Sequence, residues 1–138
     1  MIKKFNSLEE IQKYYDAESN TYVFKENGTI FDVYLNFDLK INAGIRGANI
    51  KAKNIIAWDI RAKNIDADDI NAMNIRARDI KSKDINALDI NAMNIDAKNI
   101  SYYAVCFVYY NIKCTSIKGR RKKAKHFVLN GTIEIKDA

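Results

Sequence analysis

Isoleucine recurs at every fifth position from Ile50 to Ile100. The stretch from Arg46 to Ile100 divides into eleven consecutive blocks: RGANI, KAKNI, IAWDI, RAKNI, DADDI, NAMNI, RARDI, KSKDI, NALDI, NAMNI and DAKNI. The fourth position is always Asn or Asp, and the second is Ala except at Gly47 and Ser82. A helix cannot use this pattern, because five residues at ~100° each carry successive Ile side chains about 140° apart. A flat strand fails as well, since an odd spacing sends alternate Ile residues to opposite faces. Ile and the Ala two residues later can share one inward face of a short strand. The other three residues must then turn the chain. Asn and Asp suit that turn through left-handed backbone angles and local hydrogen bonds.

A chain that turns in one sense every five residues becomes a β-solenoid with a core of stacked Ile and Ala. The block pattern resembles the pentapeptide-repeat family of bacterial quadrilateral β-helices. It shares the period, the Asn or Asp before the large apolar residue, and two inward positions spaced alternately two and three. It differs in placing the small residue two after the Ile, where the family places it two before. The resemblance implies a β-helix of four sides per coil. Some members are acidic mimics of duplex DNA, and this chain, with a formal net charge of +6, is unlike them in charge.

Three-sided coils require a 15-residue period and four-sided coils a 20-residue period; the identical DINAMNI at 69–75 and 89–95 fits the second. The variable positions sort by chemistry at the first. Position three then reads Trp58, Met73, Leu88, Tyr103, an apolar stripe, and position one of that side reads Ile56, Asn71, Asn86, Ser101. The next side carries Arg46, Arg61, Arg76 and Asn91. The third alternates Lys51, Asp66, Lys81 and Asp96, which would pair at the ~4.8 Å spacing between coils. The expected fold is therefore all-β: a β-solenoid (β-helix) of five-residue sides, three or four sides per coil.

The flanks must cover the open ends of such a stack. Residues 1–40 read as an N-terminal helix and β-hairpin cap. Ser7 with Glu10 forms a capping box for a helix bearing Leu8, Ile11, Tyr14 and Tyr15, and Asn27-Gly28 marks the hairpin. The second hairpin run alternates Phe31, Val33 and Leu35 with Ile30, Asp32 and Tyr34. Residues 41–129 read as the solenoid. Its repeat breaks at SYYAVCFVYY, with 106–111 a bulge or wider coil, and resumes with Ile112 and Ile117 at the large position and Cys114 and Gly119 at the small one. Ala124 and Phe127 continue that phase, with His126 at the Asn/Asp position. Residues 130–138 read as a closing strand after a hairpin turn at Asn130-Gly131.

Two candidate surfaces stand out. The stripe Trp58, Met73, Leu88, Tyr103 is expected to lie under the N-terminal segment, to meet a protein partner, a second copy of the chain included, or to form a flat ligand-binding face. The basic segment 118–125 holds Lys118, Arg120, Arg121, Lys122, Lys123 and Lys125. Residues 101–138 carry eight basic and two acidic side chains, so they hold nearly all the excess charge. Such a segment reads first as a solvated loop; the alternative is a site that attracts phosphates in a salt-dependent way, although no recognised nucleic-acid motif accompanies it.

Chemistry has little to build on. His126 is the only histidine, and Cys106 and Cys114 read as buried, reduced core thiols without metal or redox spacing. Asp66, Asp68 and Asp69 could draw a cation, but Lys51, Lys53, Lys81 and Lys83 stack beside them at the 15-residue period. No phosphate loop or nucleophile elbow occurs. The start has no apolar signal core and no run approaches a membrane span, so the expectation is a cytoplasmic chain without membrane contact or cofactor. The expected function is a non-catalytic scaffold for protein association; the alternative is a polyanion-binding module, for DNA or RNA, through 118–125.

Overall fold

The computed structural model describes residues 2–136, and they form a mainly β protein with one short helix. The repeat lies in three long strands, Asn49–Arg61, Asn64–Arg76 and Asp79–Cys114. They pair in parallel at a constant offset of 15 residues, Asn49 beside Asn64 and Asn64 beside Asp79. Three Ile columns result: Ile50, Ile65, Ile80; Ile55, Ile70, Ile85; and Ile60, Ile75, Ile90. The duplicated DINAMNI does not set the register, because 69–75 pairs with 54–60 and 84–90.

Every block Ile from Ile50 to Ile100 is at most 2% exposed. Among the position-two residues Ala52, Ala57, Ala67, Ala72, Ala77, Ala87, Ala92 and Ala97 are buried with them, while Ala62 and Ser82 are half-buried. Each buried Ile is worth ~1.5–3 kcal/mol before entropic costs. A small side chain two residues after each Ile is what lets neighbouring Ile columns close over the interior.

The Asn and Asp residues do not work as expected. The described non-glycine residues with positive φ are Asn20 and Asn27, both outside the repeat. In the repeat these side chains instead bond along the stacking direction. Asn74 Nδ2 donates to Asp59 Oδ1 at 2.9 Å, Asn94 to Asp79 at 2.9 Å and Asn99 to Asp84 at 2.7 Å. At these three steps an amide donor meets a carboxylate acceptor.

The alternating Lys51, Asp66, Lys81, Asp96 side also departs from expectation. Lys51 and Lys81 flank Asp66 in register, yet among the described residues the ion pair within bonding distance is Lys3–Glu26. Exposed pairs gain only ~0–1 kcal/mol, too little to hold long side chains in one place. The Lys51 ammonium lies over the Tyr34 ring, 5.3 Å from its centroid.

At the N-terminal end Ile2–Phe5 runs beside Asp32–Leu35, which in turn lies parallel to Asn49–Arg61. The helix is 3-10, Leu8–Tyr14, without a side-chain cap from Ser7. Glu10 still reaches back, but its carboxylate accepts from the Asn6 backbone N–H at 2.8 Å. Ile11 is fully buried while Leu8 and Tyr15 face out. Phe5, Tyr14, Phe24 and Phe31 pack as a plug, with centroids 5.3–6.0 Å apart. Asn27-Gly28 does turn an antiparallel hairpin, with φ of 50° and 80°, but each arm is two residues long. Phe31, Val33 and Leu35 point inward as the alternation predicts.

The C-terminal end corrects two expectations. Lys125–Val128 and Ile133–Ile135 both lie parallel to Asp79–Cys114, so Asn130-Gly131 joins two parallel strands and is not a hairpin turn. Phe127 points outward, 44% exposed, and stacks on Phe107 at 4.9 Å. The pairing offset explains the lost phase: it is 17 at Ile100–Ile117, 20 at Val105–Lys125 and 21 at Ile112–Ile133. Extra residues therefore enter between successive strands, widening this end around the buried Tyr102. Residues 137 and 138 of the expected closing strand lie outside the described residues.

Candidate functional site

The apolar stripe forms a continuous column. Ala57 and Ile60 point inward, and Trp58 and Asp59 between them both face out. Ala57 pairs with Ala72 and Asp59 with Asn74, which sets Met73 beside Trp58. Asn71–Asn86 and Asn74–Asp89 bracket Leu88 beside Met73 in the same way. The Val105 N–H bonds the Asp89 carboxylate at 3.2 Å, and Asn99 bonds Asp84, which brings Tyr103 next to Leu88. Trp58, Met73, Leu88 and Tyr103 are 48%, 46%, 37% and 46% exposed, and Ile56 adds to the same side. At ~4.8 Å per step the column runs about 14 Å. The N-terminal segment does not cover it, because its helix packs through Ile11 and Tyr14 onto Phe5, Phe24 and Phe31.

The basic segment is a loop, 120–124, between Ser116–Gly119 and Lys125–Val128. It holds the three extra residues that raise the pairing offset from 17 to 20. Its base is fixed by Arg120 N–H to Tyr102 O at 2.8 Å, Arg121 N–H to Tyr103 O at 3.0 Å and Ala124 N–H to Arg121 O at 3.0 Å. Gly119 permits the close entry, since a Cβ there would collide with the Ala124 methyl and lie 2.9 Å from the Tyr102 hydroxyl.

The structure thus brings the two candidates together. The loop sits directly on the Tyr103 end of the apolar column. It also separates the basic residues into two groups. Arg120 is a strut, because its guanidinium donates to the Ala87 carbonyl at 2.8 Å, next to Leu88. Lys118, Arg121, Lys122, Lys123 and Lys125 are exposed and, among the described residues, form no ion pair. No sequence signal separates Arg120 from its neighbour Arg121; the difference arises from a carbonyl 33 residues earlier.

His126 does not occupy a turn position. It is half-buried beside Cys106 in register, with its Nδ1 2.6 Å from the Tyr102 hydroxyl. The two cysteines are buried and unbonded. Burial, helped by the neighbouring Cys114, pushes the Cys106 thiol up to about 12, and burial also raises Cys114. Such thiols stay protonated near neutrality and are poor nucleophiles. Burial raises the Tyr102 hydroxyl too, with Cys106 adding to the effect. Asp66, Asp68 and Asp69 are exposed, and among the described residues no three His, Cys, Asp or Glu side chains converge on one point.

No described helix is long and apolar enough to cross a membrane. No family model, curated protein or solved structure matches the chain significantly, so the likeness to pentapeptide repeats rests on the block pattern alone.

Proposed function

We propose that this chain is a three-sided β-solenoid acting as a non-catalytic scaffold for protein association. The coil is supported by the 15-residue register, which equals three five-residue blocks per turn. It is supported too by Asp79–Cys114: 36 residues drawn straight would run about 120 Å, yet Asn94 bonds back to Asp79 within the same strand. The observation that carries the function is the uncovered column of Trp58, Met73, Leu88 and Tyr103. Four large apolar side chains aligned in one exposed column have no role in the core, and aromatic and Met side chains are the types that anchor protein interfaces.

The first partner to test is a second copy. Leu88→Asp keeps the inward Ile and Ala residues intact while placing a carboxylate in mid-column. Light scattering after gel filtration should show the wild-type chain above monomer mass and the variant at monomer mass, with thermal midpoints within a few degrees. A wild-type monomer at high concentration rejects self-association. Equal recovery of a heterologous partner by wild type and variant rejects the column as the docking surface.

A further inference from the structure

The loop 120–124 is more than a solvated excursion. Its base is held by three backbone hydrogen bonds and the Arg120 strut, so Arg121, Lys122 and Lys123 project from a fixed platform. Lys118 and Lys125 stand at the ends of the two strands that enter and leave it. Exposed rings lie on both sides. Tyr103, 46% exposed, carries the carbonyl that receives the Arg121 N–H. Phe127, two residues after Lys125, is 44% exposed and held in a T-shaped pair with Phe107.

From this arrangement we infer that the C-terminal end binds single-stranded nucleic acid, with phosphates on Arg121, Lys122 and Lys123 and bases stacked on Phe127 and Tyr103. Cations alone would attract any polyanion. Rings beside them give a single strand an added grip, because its bases are free to stack, whereas a duplex keeps its bases paired inside. The site shares Tyr103 with the apolar column but not Phe127 or the cations, so Phe127→Ala and the Gln variant test this inference while Leu88→Asp tests the scaffold reading.

Fluorescence anisotropy of labelled oligothymidylate, compared with a duplex of equal length at low and moderate salt, tests it. The wild-type chain should bind the single strand more tightly. Replacing Arg121, Lys122 and Lys123 together by Gln removes about three phosphate contacts, which should flatten the logarithmic salt slope by about 2. Phe127→Ala should weaken single-strand binding by about ten-fold or more and leave duplex binding unchanged. Tyr103→Ala, on a different strand, guards against a local folding effect at 127 and should weaken it similarly. The inference is overturned by no binding at low salt, by a salt slope untouched by the Gln variant, or by aromatic variants that bind as wild type.

Discussion

Ile75→Asp is expected to leave no folded baseline in a thermal melt monitored by circular dichroism at 25 °C. Ile75 is 2% exposed and sits between Ile60 and Ile90 in one of the stacked columns. Removing its side chain alone, as Ile75→Ala, should cost about 2–5 kcal/mol through lost burial and the cavity left behind. The aspartate adds a carboxylate with no partner in an interior that holds no buried polar or charged residue among those described. The sum rivals the ~5–15 kcal/mol that keeps a typical domain folded. Met73→Asp, two residues away and facing out, should shift the melting midpoint by only a few degrees. Equal midpoints for Ile75→Asp and wild type would mean that the Ile positions do not face a core.

The second large effect belongs to Gly131. A Cβ at this position would run into the Tyr110 carbonyl oxygen and lie 2.7 Å from Asn111 Oδ1, so the obstacle includes backbone that cannot swing aside. On either side, Asn130 N–H bonds Tyr109 O at 2.8 Å and Ile112 N–H bonds Thr132 O at 3.0 Å. Gly131→Ala should push this segment off its neighbour and release Ile133–Ile135 from Ile112–Cys114. The expected loss is about 1–3 kcal/mol, from strain and broken hydrogen bonds. A chemical readout accompanies it. Cys114, 3% exposed in the native chain, should become reactive toward a thiol reagent at mildly alkaline pH, while Cys106, paired with Lys125–Val128, stays protected. Two silent thiols and an unchanged midpoint would contradict the close approach at Gly131.

How much of this was legible beforehand follows from how often each environment is stated in the sequence. The inward Ile and Ala positions are written eleven times over, and no single deviation such as Ser82 obscures them. The column Trp58, Met73, Leu88, Tyr103 was legible because unlike side chains separate into sides at 15 residues and mix at 20. The flanks are written once. The phase after Ile100 shifts in steps that no block announces: the offset is 17 by Ile117, 20 past the loop 120–124 and 21 by Ile133. Phe127 therefore reads as core and stands outside. Asn-Gly signals a tight turn wherever φ is free to become positive; at Asn27-Gly28 it does, while at Gly131 the crowding against Tyr110 is what calls for glycine. The Asn and Asp ladder is hidden in the sequence for a related reason. Local propensity names the turn conformation, but a neighbour 15 residues away supplies the hydrogen bond.

The measurement that bears most directly on the whole account is disulfide trapping across the proposed coil. Asn71 and Asn86 are Cα partners on adjacent strands, both exposed. Parallel neighbours stand ~4.8 Å apart, inside the ~4.4–6.8 Å window for a disulfide. With Asn71→Cys and Asn86→Cys installed together, mild oxidation and peptide mapping should recover a 71–86 cross-link in nearly every molecule. Asn71→Cys with Asn91→Cys should stay reduced under the same conditions. A 71–91 bond formed in place of 71–86 would mean a 20-residue coil, and it would dissolve the apolar column on which the proposed function rests.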